Sequence, residues 1–132
     1  MPITNIFLEP AKEERKDAVL NYHIDFDQRT DDRTGKPVGR PILTQFSIRI
    51  RRDSEPEANF YVNWQLEPTL QQDLDICFYD DNQLKRSIKI QEAYLVSYNQ
   101  DCREPGAIEE TLVISPQKVE MDGIMFNRQD YQ

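Results

Sequence analysis

Alternation with a period of two is the feature that most constrains this chain. From Ala18 to Phe26, Leu20, Tyr22, Ile24 and Phe26 share one parity, and Asn21, His23 and Asp25 the other. "ILTQFSIRIRR", from Ile42 to Arg52, repeats the pattern: Ile42, Thr44, Phe46, Ile48 and Ile50 oppose Gln45, Ser47, Arg49 and Arg51. Residues i and i+2 share a face only in extended backbone, so both segments read as half-buried strands. Ile3 to Leu8 is a short apolar strand. "DLDICFYDD" turns Leu74, Ile76 and Phe78 inward, and "ETLVISPQKVEM" does the same with Leu112 and Ile114. In "KRSIKIQEAYLVSYNQ", Ile88 and Ile90 share parity with Tyr94, Val96 and Tyr98, while Glu92 interrupts that face. A bulge near Glu92 and Ala93 is the expected remedy. "DGIMFNRQDYQ" adds a short terminal strand.

The segments between these strands are polar. Glu9 to Asp17 reads as a charged loop, Asp80 to Gln83 as a turn, and "DCREPGAIEE" as an acidic loop. One stretch leaves the period of two. Ser54 with Glu57 is a capping box, and Pro56 fits a first helical turn. Phe60 and Trp64 lie four apart, as do Val62 and Leu66, and Pro68 closes the pattern. The expectation is one helix over about Glu55 to Leu66, its aromatic stripe covering a barrel end or a sheet.

The sum is six or seven antiparallel strands and one helix, without βαβ alternation. The expected fold is mainly β: an antiparallel β-barrel of two packed sheets, one flanking α-helix and a long protruding loop, in a single domain over 1–132. Closure into a barrel removes sheet edges. The loop is the anomaly. "TDDRTGKPVGRP", residues 30 to 41, spends two of the chain's four glycines on a connection that two to five residues could make.

Charge narrows the partners. The net charge is −8 and the pI about 4.6, which argues against nucleic acid and anionic membrane, since both need a basic face. No stretch approaches the roughly 20 apolar residues of a membrane span. "MPITNIFLEP" lacks a basic start and a long apolar run, so the chain reads as made in the cytoplasm without a signal peptide. Cys77 sits in a strand and Cys102 in a loop; two cysteines make no disulfide framework.

The search for chemistry returns no catalytic, metal-binding or cofactor-binding set, and no cofactor is expected. Asp25, Asp27, Asp31 and Asp32 are dense, but a Ca²⁺ loop wants an oxygen ligand fifth and a glycine sixth, where Arg29 and Thr30 stand. His23 is the only histidine. Glu109 and Glu110 are adjacent, so on a strand they point to opposite faces. Arg49, Arg51 and Arg52 make a small basic stripe that suits ion pairs better than phosphate. These readings point away from an enzyme and toward a protein that works through its surface.

Several stretches resemble one family. "DICFYDDNQLKRSIKIQEAYLVSYNQ" followed by "ETLVISPQKVEM" is similar to the C-terminal half of Hcp-type (TssD) tube proteins of type VI secretion systems. The shared features are Phe78–Tyr79 followed by Asp80, "AYLVSY" at Ala93 to Tyr98, and "LVISPQKV" at Leu112 to Val119. Upstream, Asp32, Gly35, Lys36 and Pro37 come in the order of that family's extended loop. The chain departs from the pattern in its long charged loop, Glu9 to Asp17, and in Asp73, where a glycine is common.

The resemblance implies a structural subunit that forms hexameric rings, stacked into a hollow tube that carries effectors in its lumen. Its partners would be copies of itself and the sheath, spike and effector proteins of the system. Export would need no signal peptide. Residues 29–41 would form an inter-ring loop, with Asp31, Asp32, Arg33, Gly35, Lys36, Pro37, Val38 and Arg40 at the stacking contact. Lateral contacts would pair Arg49 and Arg51 with a neighbour's Glu104, Glu109 or Glu110. The alternatives are a monomeric small-ligand-binding β-barrel and a tube subunit of a related phage-like injection system.

Overall fold

The computed structural model describes residues 3–39, 41–53 and 60–128, with backbone only at 52 and 53. Arg40 and the Ser54–Glu57 capping box lie outside the described residues. Eight strands and one helix follow in the order β1 (Asn5–Pro10), β2 (Asp17–Asp27), β3 (Ile42–Asp53), α1 (Phe60–Gln65), β4 (Gln72–Asp80), β5 (Gln83–Glu104), β6 (Ala107–Ser115), β7 (Lys118–Met121) and β8 (Ile124–Asn127).

All the ladders are antiparallel. They run β4-β1-β2-β3-β6-β5, and β4 also pairs β5, which closes a six-stranded barrel. The barrel is flattened into two walls that share β5. The first half of β5 joins β4 on one side and β7 on the other, with β8 beyond β7. Its second half joins β6, which continues to β3 and β2. The expected barrel of two packed sheets with one flanking helix is therefore present.

Bulges decide which residues reach the core. Glu92 has φ 54°, and Ile90 before it and Ala93 and Leu95 after it are all buried. A second register shift between Leu95 and Ser97 throws Val96 outward, 59% exposed. Two parity changes cancel, so Tyr98 packs against the core again. The expected inward placement of Val96 is thereby corrected. The same physics corrects two other positions. A shift between Val19 and Asn21 makes Leu20 the surplus residue and exposes it, and a shift at Thr44 exchanges Ile42 for Leu43 in the core.

Turn chemistry accounts for the hairpins. Asp81 and Asn82 both have positive φ, as do Asp122 and Gly123, and such pairs suit two-residue hairpin loops whose twist matches the strands. "DCREPGAIEE" is not a loop. β5 runs to Glu104, Pro105–Gly106 makes the turn with Gly106 at φ 83°, and β6 starts at Ala107. Asp101 and Glu104 lie at exposed ladder positions and Glu109 at a half-exposed one, which is why the composition looked like a loop. The charged loop after β1 is also shorter than expected, because β1 extends to Pro10 and β2 begins at Asp17.

The helix closes one barrel end. Within the described residues it covers Phe60–Gln65, with Tyr61 and Trp64 buried. The Trp64 indole Nε1–H donates to the Leu70 carbonyl at 2.9 Å, which pins the chain leaving the helix. Phe60 contacts Trp64, as the four-residue spacing predicted, whereas Leu66 is 73% exposed.

Candidate assembly surfaces

Residues 28–39 form an arm built on its own backbone. Val38 N–H donates to the Arg29 carbonyl, Asp31 N–H to that of Lys36, and Gly35 N–H to that of Asp31, at 2.8 to 2.9 Å. Thr30 and Pro37 form a β-bridge. The Asp31 carboxylate folds back and accepts from the N–H groups of Arg33 and Thr34. These two bonds hold its pKa below the ordinary value. Gly35 sits at φ 72°, a conformation that favours glycine. Asp31, Asp32, Arg33, Gly35, Lys36, Pro37 and Val38 are all exposed on this arm, Val38 at 62%. The arm is thus a short hairpin that prolongs the β2–β3 ribbon.

Two strand edges stay open among the described residues. β2 pairs β1 only through Ala18 and Asp17, so from Val19 to Asp27 its ladder is to β3 alone. The second half of β5 pairs β6 on one side and no strand on the other. The wall β2-β3-β6-β5 is thus four strands wide and open at both margins. Residues 99–104 at one margin are exposed, as are Leu20, Asn21, His23, Phe26 and Asp27 at the other.

The outer face of this wall carries a charged ladder. Arg49 donates to Glu109 Oε1 through Nε at 3.1 Å and Nη2 at 2.5 Å, and through Nη1 to Thr111 Oγ1 at 2.8 Å. Asp101 lies 3.6 Å from the same guanidinium. The Glu109 hydrogen bond raises the Arg49 pKa, and the reciprocal bond lowers that of Glu109. Arg51 stands opposite Glu109 in register, and Glu104 lies at the hairpin tip. Arg49 and Glu109, expected to meet across a subunit boundary, are therefore brought together within one chain.

Glu110 corrects the sequence reading more sharply. It is fully buried and its carboxylate accepts from the Tyr98 hydroxyl, so it offers nothing to a neighbour. The signal was present, because Glu110 shares parity with Leu112 and Ile114. A second buried carboxylate was missed. Asp17 is 5% exposed, takes two bonds from the Arg15 guanidinium at 2.9 and 3.1 Å, and accepts from the Tyr61 hydroxyl at 2.6 Å. Burial first, then the Asp17 charge, push the Tyr61 phenol well above its usual 10, so it stays a donor. No local pattern announced this cluster, because its members come from a turn, a strand and the helix.

Among the described residues no helix is long and apolar enough to cross a membrane. The family model for hemolysin coregulated protein Hcp (TssD) matches residues 5–129. Similar solved structures include Hcp1 from Flavobacterium johnsoniae, 23% identical, with 94% of this chain and 99% of that one covered and a TM-score of 0.76. An Hcp1 protein from E. coli EAEC 042 is 13% identical, with 92% and 95% covered and a TM-score of 0.67. The sheath-tube complex of an extracellular contractile injection system, PVC, gives 16% identity, 96% and 91% coverage and a TM-score of 0.54. No curated protein matches the chain. With nearly its whole length matched by the family model, the chain belongs to the Hcp (TssD) family of type VI secretion tube proteins.

Proposed function

We propose that this chain builds a hollow tube from hexameric rings that stack through the arm, and that the tube carries effectors in its lumen. One observation carries the reading. The wall β2-β3-β6-β5 has an even number of alternating strands and two open margins. β2 of one copy set beside β5 of the next continues the antiparallel alternation without a break. Such a contact is heterologous, and it closes into a ring when the rotation between copies divides a full turn. Closure hides the unpaired backbone that an isolated wall would leave open to aggregation. The number six comes from the family, as do the sheath, spike and effector partners.

The arm suits the second kind of contact. It projects beyond the barrel, and its fold is set by its own hydrogen bonds, so it can reach an adjacent ring without unfolding its base. The stacking residues are proposed as Asp32, Arg33, Lys36, Pro37 and Val38, with Asp31 and Gly35 shaping the turn. Glu104 remains a lateral candidate at the open β5 margin and Arg51 one on β3, a strand in from the β2 margin, and Arg49 and Glu109 stiffen the wall.

A monomeric ligand-binding barrel fits less well. Phe46, Ile48, Ile50, Ile76, Ile88, Ile90 and Leu112 pack the space between the walls, which such a barrel would keep open. Particle mass across a concentration series tests the proposal. A species of six chains, with larger multiples at high concentration, is expected. A single chain throughout would refute it.

A further inference from the structure

Stacked rings require a donor at one end of the subunit and an acceptor at the other. The arm follows the end of β2 and the β1–β2 turn, Ala11 to Lys16, precedes its start. The two are therefore separated by an eleven-residue strand, about 36 Å at strand rise. The turn frames an open concavity of about 380 Å³, lined by Glu9, Pro10, Glu13, Glu14, Arg15 and Lys16.

The charges in this concavity divide into used and unused. Arg15 is committed to Asp17, and Lys16 lies against the Tyr79 hydroxyl and the Phe7 and Tyr79 rings. The Tyr79 hydroxyl in turn donates to Glu9 at 2.6 Å. Glu13 and Glu14 have no ion pair among the described residues, and both are exposed. The arm tip mirrors this. Asp31 is spent on backbone N–H groups, whereas Arg33 and Lys36 have no ion pair among the described residues. Lys12 in the turn and Asp32 in the arm are also exposed without an ion pair among the described residues, so the unpaired charge is two acids to one base at the turn and two bases to one acid at the arm tip.

We infer that the arm of one subunit seats in the β1–β2 turn of a second copy one ring along, with Arg33 and Lys36 against Glu13 and Glu14. This rests on the stacked-ring reading and adds the acceptor to it. Pro10 gives the floor of the concavity an apolar wall for Pro37 or Val38. The committed Arg15 and Lys16 make the floor rigid, so the arm meets a preformed surface. Individual surface pairs are weak, but repetition around a closed ring multiplies them.

Charge reversal with rescue tests the assignment. Glu13→Lys with Glu14→Lys, and separately Arg33→Glu with Lys36→Glu, should leave the mass of the ring unchanged. Each should lower the stacked fraction seen by sedimentation velocity at least tenfold. The chain carrying all four substitutions should recover stacking to within about twofold, because both faces are reversed together. Doubles that stack as well as the unmodified protein, or a quadruple variant no better than the doubles, would overturn the acceptor and leave the ring intact. Unmodified rings that never stack would also overturn it. An unmodified protein that stays a single chain would overturn the ring reading and the acceptor together.

Discussion

The two ends of β2 are held by opposite means. At the start of β2 the barrel is closed by burial: Trp64 and Tyr61 fill the end, and Asp17 is clamped between Arg15 and Tyr61. At its finish the arm is fully exposed and is shaped by short-range backbone bonds and one folded-back carboxylate. The first arrangement buys stability. The second leaves stability almost untouched and frees the surface for a partner. Damage at the two ends should therefore show in different measurements.

The largest effect is expected from Trp64→Ala. Removing a fully buried indole should cost roughly 3–5 kcal/mol, read from the shift in urea midpoint, while the arm's amide chemical shifts stay in place. Asp17→Asn comes next. It leaves the mostly buried Arg15 guanidinium facing a neutral group, at a cost of roughly 3 kcal/mol by the same denaturation measurement. Tyr61→Phe should cost less, about 1–2 kcal/mol, since it deletes one hydrogen bond and keeps the ring. If the two Asp17 partners act as one unit, the double variant will fall short of the sum.

Gly35→Ala should invert the pattern. A side chain at φ 72° meets no steric neighbour but strains the backbone by roughly 1 kcal/mol, and the strain is confined to the arm. The urea midpoint should hold while the stacked fraction falls. Asp31 gives the smallest and most local test. Its pKa lies below the usual 3.8, so the arm turn keeps its carboxylate bonds above that value and loses them as pH drops through the lowered one. The Arg33 and Thr34 amide shifts should titrate together with that depressed midpoint, and the barrel signals should not follow.

The same contrast explains what could be read from the sequence. Alternation located the strands, and the DDNQ turn was legible because it depends on adjacent residues. The aromatic spacing of Phe60 and Trp64 located the helix. Bulges at Leu20, Thr44 and Val96 were not legible, since which residue becomes surplus depends on the partner strand's register. Arg49 and Glu109 looked like free charges because their contact is sixty residues apart in the chain. Glu110 was readable by parity, and only its charge argued against the core. The arm's length and its Gly–Pro chemistry were plain in the sequence. Its hairpin form was not, because the bond from Val38 to Arg29 bridges nine residues with no hydrophobic pattern to mark it.

Hydrogen exchange across assembly tests the continuous wall most directly. The backbone amides of β2 between Val19 and Asp27 that bond no strand within the chain should gain strong protection when rings form. Those along the outer margin of β5, from Ser97 to Glu104, should gain it in step. Rings that assemble while both margins keep exchanging at the rate of the lone subunit would contradict the account.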